Sequence, residues 1–155
     1  MVKNHEYFMK LALKEASKAR AIDEVPIGCV IVKNNKVIAR GHNVREISQD
    51  PTGHAEVVAI KKASKKLNNW RLEDCDLYVT IEPCIMCSGA IILSRIKRVI
   101  FGATDPKGGG IVSSINVFEA EGINHRPEVV SGILKDECSE IITSYFKEKR
   151  KLKLG

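Results

Sequence analysis

Apolar residues recur three and four positions apart in the first segment of the chain. Phe8, Leu11, Ala12, Ala16 and Ala19 carry that spacing between Asn4 and Ala21, with charges filling the gaps. The spacing predicts an amphipathic helix. The pattern then switches to two β-rich runs in "EVPIGCVIVKNNKVIARGHN". They flank Asn34 and Asn35, residues that tolerate a left-handed turn, and so read as a hairpin. A polar loop containing "QDPTG" follows, then a second helix in "HAEVVAIKKASKKL" and a strand in "CDLYVTI". "CIMCSGAIILSRI" reads as a third helix and "RVIFGA" as another strand, followed by the flexible glycine-rich turn "TDPKGGG". Residues 111–122 are ambiguous, with a short helix expected. "PEVVSGI" suggests a last strand, and "KDECSEIITSYFKEKRKLK" a terminal amphipathic helix with a basic end. Strands alternating with helices indicate a layered α/β domain whose sheet begins with a hairpin. The strand–helix–strand unit from Leu77 to Phe101 should be parallel and right-handed. No repeat or low-complexity linker divides the chain, and its 155 residues suit one domain, 1–155.

Composition changes this picture little. Hydrophobic residues make up 44% and charged residues 28%, an ordinary globular balance. No apolar run is long enough to span a bilayer. The first twenty residues are charged throughout and lack the apolar centre of a signal peptide, so the expected location is the cytoplasm. There the five cysteines should be reduced rather than paired. The net charge of +6 and pI near 9.1 fit a polyanionic partner. From charge alone, a lysine-rich solvated surface is the simpler reading.

The candidate chemistry begins with Cys84 and Cys87, two residues flanking Ile85-Met86 where a predicted strand gives way to a helix. A redox pair, half of a structural zinc site, or two ligands of a catalytic zinc all fit that context. His54 and Glu56 stand at the predicted start of another helix, about thirty residues earlier. Helix N-termini carry unpaired N–H groups and partial positive charge, which favour thiolates and anions. Two such ends meeting would make a zinc pocket. Cys75 is a poor fourth ligand, because the strand separating it from Cys84 spans more than about 20 Å. Cys29 and Cys138 read as small buried apolar residues. Glu56 could coordinate, but carboxylates are a minority choice beside two thiolates. Three protein ligands plus water is the open, catalytic arrangement. His54 alone suggests no metal, and Cys84 with Cys87 alone suits a redox pair as well; the joint motif carries the zinc reading.

His-Ala-Glu followed by Pro-Cys-x-x-Cys resembles the zinc-dependent nucleoside and nucleobase deaminases. "EVPIGCVIV", His42-Asn43, "DPTGHAE", "NWRLEDCDLYVTIEPCIMCSGA", "SRIKRVIFGATDPKGG", "NHR" and "GILKDEC" are similar to the bacterial tRNA-specific adenosine deaminases of the cytidine/deoxycytidylate deaminase superfamily. Gly53 departs from the alanine usual there, and "IVSSINVFEAEG" is a looser match. The resemblance implies a three-layer α/β/α sandwich around a mixed five-stranded sheet, a homodimer, and one Zn2+ per subunit. It implies hydrolytic conversion of the wobble adenosine of a tRNA anticodon to inosine. His54, Cys84 and Cys87 would bind zinc, Glu56 would shuttle protons, and Asn43 would contact the base. Ala55, Asp105, Lys107, Lys149 and Arg150 would contribute further substrate contacts. Zinc lowers the pKa of water, and a carboxylate beside it can move protons to the ring nitrogen and the departing amine. The target base must be unstacked to reach such a centre, and an anticodon loop offers that cheaply.

With a tRNA partner implied, the basic residues gain weight. Lys147, Lys149, Arg150, Lys151 and Lys153 end the terminal helix and suit phosphates. Lys61, Lys62, Lys65 and Lys66 read as solvated or subunit-facing. Two alternatives stand beside the tRNA reading. One is a cytidine, deoxycytidylate or guanine deaminase of the same fold. The other is a zinc-stabilised RNA-binding module without catalysis, which would not need Glu56.

Overall fold

The computed structural model describes residues 2–154. Helix α1 spans His5–Ala21, and Asn4 caps it by accepting from the Tyr7 amide. Its buried residues, among them Phe8, Met9, Ala12, Ala16 and Ala19, carry the helical spacing seen in the sequence. Strands β1 (Gly28–Lys33) and β2 (Lys36–His42) form the expected hairpin. Asn34 and Asn35 turn it with φ of 51° and 62°, the two positive values that a tight hairpin turn of this twist needs. The polar loop after β2 contains a short helix that the sequence pattern did not predict, α2 (Arg45–Ser48). Helix α3 (Ala55–Leu67), strand β3 (Cys75–Ile81), helix α4 (Ile85–Leu93) and strand β4 (Arg98–Ala103) follow. α4 stops at Leu93, short of the predicted end. The ambiguous segment holds a single 3-10 turn, Val117–Glu119, before β5 (Glu128–Ser131) and α5 (Lys135–Leu154).

The sheet has five strands in the order β2-β1-β3-β4-β5. β1 pairs antiparallel with β2 and β3, whereas β3–β4 and β4–β5 are parallel. It is the mixed sheet the resemblance implied. Alternate residues enter opposite cores, as the two-residue strand period demands. Cys29, Ile31, Leu77, Val79, Val99 and Phe101 meet residues of α3 and α4 on one face. Val30, Val32, Tyr78 and Ile100 meet α1 and Cys138 of α5 on the other. Helices cover both faces, so β1 is buried almost throughout and reads as a continuous apolar run.

One close approach sets the position of α3. A β-carbon at Gly41 of β2 would lie 2.6 Å from the Ala55 carbonyl oxygen and 2.9 Å from the Ala59 nitrogen. The bare glycine lets the first turn of α3 rest directly on the sheet. The residue before that turn is His54.

Candidate metal centre and active site

His54 is the N-cap of α3 and Cys84 the N-cap of α4, and neither uses its side chain to cap its helix. Both side chains are therefore available beyond the helix ends. Cys87, one turn into α4, is fully buried beside them. The His54 Nδ1 lies 3.6 Å from the sulfur of Cys84 and 3.6 Å from that of Cys87. All three donor atoms lie within 4.8 Å of one another, and among the described residues no other metal-capable cluster forms. Tetrahedral zinc with bonds of about 2.3 Å to sulfur and about 2.0 Å to nitrogen separates those donors by about 3.6 Å. One nitrogen and two sulfurs at this spacing fit zinc, and Cys29, Cys75 and Cys138 stay elsewhere in the core.

The thiols divide their protons unequally. The Cys87 thiol donates toward Cys84, which holds the Cys84 thiol well below its ordinary pKa and raises that of Cys87. The hydrogen bond with Cys84 raises the pKa of His54. Glu56, in the first turn of α3, is only 3% exposed. Burial pushes its carboxyl up to about 7, its own backbone N–H pulling the other way. The charges of Cys84 and His54 both act on it. The centre thus joins three metal donors to one buried carboxyl group outside the donor set.

The other residues singled out from the sequence divide into two regions. Asn43, 5% exposed at the end of β2, donates to the Val25 carbonyl (3.4 Å) and accepts from the Arg45 amide (3.2 Å). An asparagine amide has two hydrogens and two lone pairs, so each end keeps capacity beyond these bonds. Ala55, the first residue of α3, is fully buried. Asp105 and the exposed Lys107 lie on the loop after β4, where Gly109 bridges Cys84. Lys149 and Arg150 lie on α5. Lys149 is already engaged, 2.5 Å from Asp23, while Arg150 is exposed. Lys149 and Lys153 line a groove of about 660 Å³ with Arg45, Ile47, Tyr145 and Phe146.

Besides Glu15, which pairs with Lys18 within α1, two buried carboxylates escaped the sequence reading. Glu24, 1% exposed, accepts from the Glu46 (3.0 Å) and Ile47 (2.7 Å) amides and so holds α2. Glu82, 2% exposed, is ringed by amides of the loop after β4. The available signal was an acidic residue inside "TIEPC", an apolar strand end, upstream of a glycine triplet.

A mixed sheet sandwiched between helices, with a His-Cys-Cys centre at two helix starts and a buried glutamate beside it, defines a zinc-dependent deaminase. The family model for the cytidine and deoxycytidylate deaminase zinc-binding region matches residues 2–103. The chain belongs to that family. It is 51% identical over 148 residues to a tRNA-specific adenosine deaminase of Bacillus subtilis, covering 96% of this chain and 92% of the relative. A solved structure from a study of A-to-I editing by tRNA:A34 deaminases at the wobble position superposes with a TM-score of 0.85 at 47% identity. That match covers 87% of this chain and 98% of the other. A guanine deaminase from Bacillus subtilis matches with a TM-score of 0.63 and 46% identity over 66% of each chain.

Proposed function

We propose that this protein deaminates the wobble adenosine of a tRNA anticodon to inosine. The observation that carries the chemistry is the placement of Glu56: a buried carboxyl group beside three converged metal donors, yet not one of them. His54, Cys84 and Cys87 would hold zinc, which when bound supplies the Lewis acidity that lowers the pKa of water to about 7. Glu56 takes a proton from the attacking water and delivers it to the adenine ring nitrogen. It then takes the remaining proton from the hydroxyl added at C6 and passes it to the amine, as the C6–N bond breaks and the C6 carbonyl forms. Water and adenosine become inosine and ammonia, so the protons balance. Asn43, fixed by Val25 and Arg45, offers its remaining amide capacity to the base edge or its sugar. A buried amide pairs poorly with the wrong edge, which contributes selectivity.

The tRNA substrate is supported by relatives that match nearly the whole chain, 96% of it in one case. The basic end of α5 supplies cations that a free nucleobase does not require. Arg150, Lys151 and Lys153 are exposed and suit phosphates, while Lys149 must first exchange Asp23 for one. The second reading, guanine deamination, is favoured by the 46% identical guanine deaminase, whose match stops at 66% of the chain. Incubation with unmodified wobble-adenosine tRNAs, followed by sequencing for inosine, decides between them. Ammonia release from guanine with no inosine in tRNA would replace the first reading with the second.

The reading extends to assembly and place. α4 contains no charged residue, and its Ile85 and Leu93 are 58% and 69% exposed on the same side as Gly89. That uncovered apolar strip suits a second copy of the chain in a homodimer. Sedimentation should show a dimer that Leu93→Asp dissociates; a monomeric wild type would remove this assignment. Among the described residues no helix is long and apolar enough to cross a membrane. A tRNA substrate suits a cytoplasmic protein.

A further inference from the structure

The loop 105–113 has the composition of a flexible segment, with three consecutive glycines, yet its backbone is gathered around one side chain. The Glu82 Oε2 accepts from the amides of Ile111 (3.1 Å), Val112 (2.8 Å) and Ser113 (3.0 Å). Its Oε1 accepts from the Asp105 amide (3.0 Å) and from the Ser113 hydroxyl (2.5 Å). Successive amides converging on one anion form a nest, here with the anion supplied by the protein itself. A carboxylate offers about four lone-pair directions. These donors saturate it, leaving no capacity for a metal or a travelling proton.

The chain around Glu82 ties this nest to the metal centre. Its own amide is fixed to the Ala103 carbonyl (2.8 Å), where β3 ends and the loop departs from β4. The next residue, Pro83, accepts from the Gly110 amide (2.8 Å), and Gly109 bridges Cys84. Gly109 must lack a side chain, because a β-carbon there would sit 2.4 Å from the Glu82 carboxylate. Within the loop, the Asp105 carboxylate accepts from the Lys107 and Gly108 amides (3.2 Å each).

We infer that Glu82 is a positioning residue, whose carboxylate clamps loop 105–113 onto the Cys84 turn so that Asp105 and Lys107 stand ready before substrate arrives. The clamp stands on the contacts above; its bearing on substrate rests on the tRNA reading. A loop ordered in advance spares the complex the entropy of ordering it on binding. Its loss therefore weakens substrate capture more than it slows the bond-breaking step.

The test is Glu82→Gln, measured in two arms. Glutamine keeps the size but turns an amide group toward N–H donors that need an acceptor. Hydrogen exchange on the zinc-loaded protein without RNA should speed at least tenfold at residues 111–113 while the core strands keep their protection. With a wobble-adenosine stem-loop, KM should rise at least tenfold and kcat fall less than threefold, with zinc still at one per chain. Gly109→Ala leaves the carboxylate intact and pushes the loop off it. It should reproduce both changes, and it decides the matter if Glu82→Gln does not fold. Exchange and KM within twofold of wild type would overturn the inference. So would activity lost in proportion to zinc, since Glu82 would then serve the ligand turn alone. If the wild type leaves the stem-loop unchanged, the tRNA reading falls and the exchange arm alone decides whether the clamp exists.

Discussion

Replacing Gly41 by alanine tests whether the sheet surface sets the metal geometry. The new β-carbon would lie 2.6 Å from the Ala55 carbonyl oxygen, about 0.8 Å inside ordinary van der Waals separation. The neighbour is helix backbone and cannot rotate away as a side chain could. Helix α3 must therefore lift, and His54, the residue before it, moves with it. Metal bonds tolerate displacements of about 0.2 Å, so a shift of this size opens one side of the site. A misplacement near 1 Å costs about 100-fold in rate. Overpacking itself costs about 1–3 kcal/mol. At about 2–4 °C per kcal/mol for a chain of this length, Gly41→Ala should melt about 2–12 °C lower. Thermal melting, zinc analysis after dialysis against a weak chelator, and single-turnover deamination of the stem-loop together read these effects. An unchanged melt with full zinc retention and wild-type turnover would refute the claim that this close approach seats α3.

Cys84→Ala should lose zinc, and stoichiometric metal in the purified variant would remove Cys84 from the donor set. Glu56→Gln should keep both fold and zinc while turnover falls by about 100- to 10,000-fold, the range for a proton-transfer group; near-normal rates would take Glu56 out of the mechanism. Alanine at Arg150 and Lys151 should flatten the log–log salt dependence of tRNA binding by about 0.7 for each phosphate no longer neutralised. Lys149→Ala should change that slope less, because Asp23 competes for the same ammonium; equal changes would show that the pair opens without resistance.

What could be read from the sequence follows the range of the forces involved. α1 and α3 were legible because their apolar residues repeat along one face, and the hairpin because Asn34 and Asn35 suit the turn. The metal donors were legible because each half of the motif begins a helix, so local geometry already directs the side chains outward. α2 was not legible. It has four residues, none of them buried, and Glu24 holds it from across the chain. The turn "TDPKGGG" read as flexible because its order comes from Glu82, more than twenty residues before Asp105. Lys149 read as a free cation because Asp23, its partner, lies 126 residues away. In each case the deciding group is remote in sequence and contributes no periodic pattern.

The donors of the metal centre come from the two halves of the sheet. His54 leads α3, which rests on the antiparallel hairpin, and the cysteines belong to the crossover between the parallel strands β3 and β4. Thirty residues separate His54 from Cys84. In an unfolded chain His54 is therefore remote from the two cysteines, and the joint affinity of all three exists only after β3 has docked on β1. Metal acquisition thus reports completed assembly, and a cell short of zinc would hold a less stable protein as well as a less active one. The linkage is quantitative: stability should grow with the logarithm of free zinc once the ion exceeds its dissociation constant. Melts across a buffered zinc series would return that constant without any substrate, and a melting temperature independent of zinc would break the link.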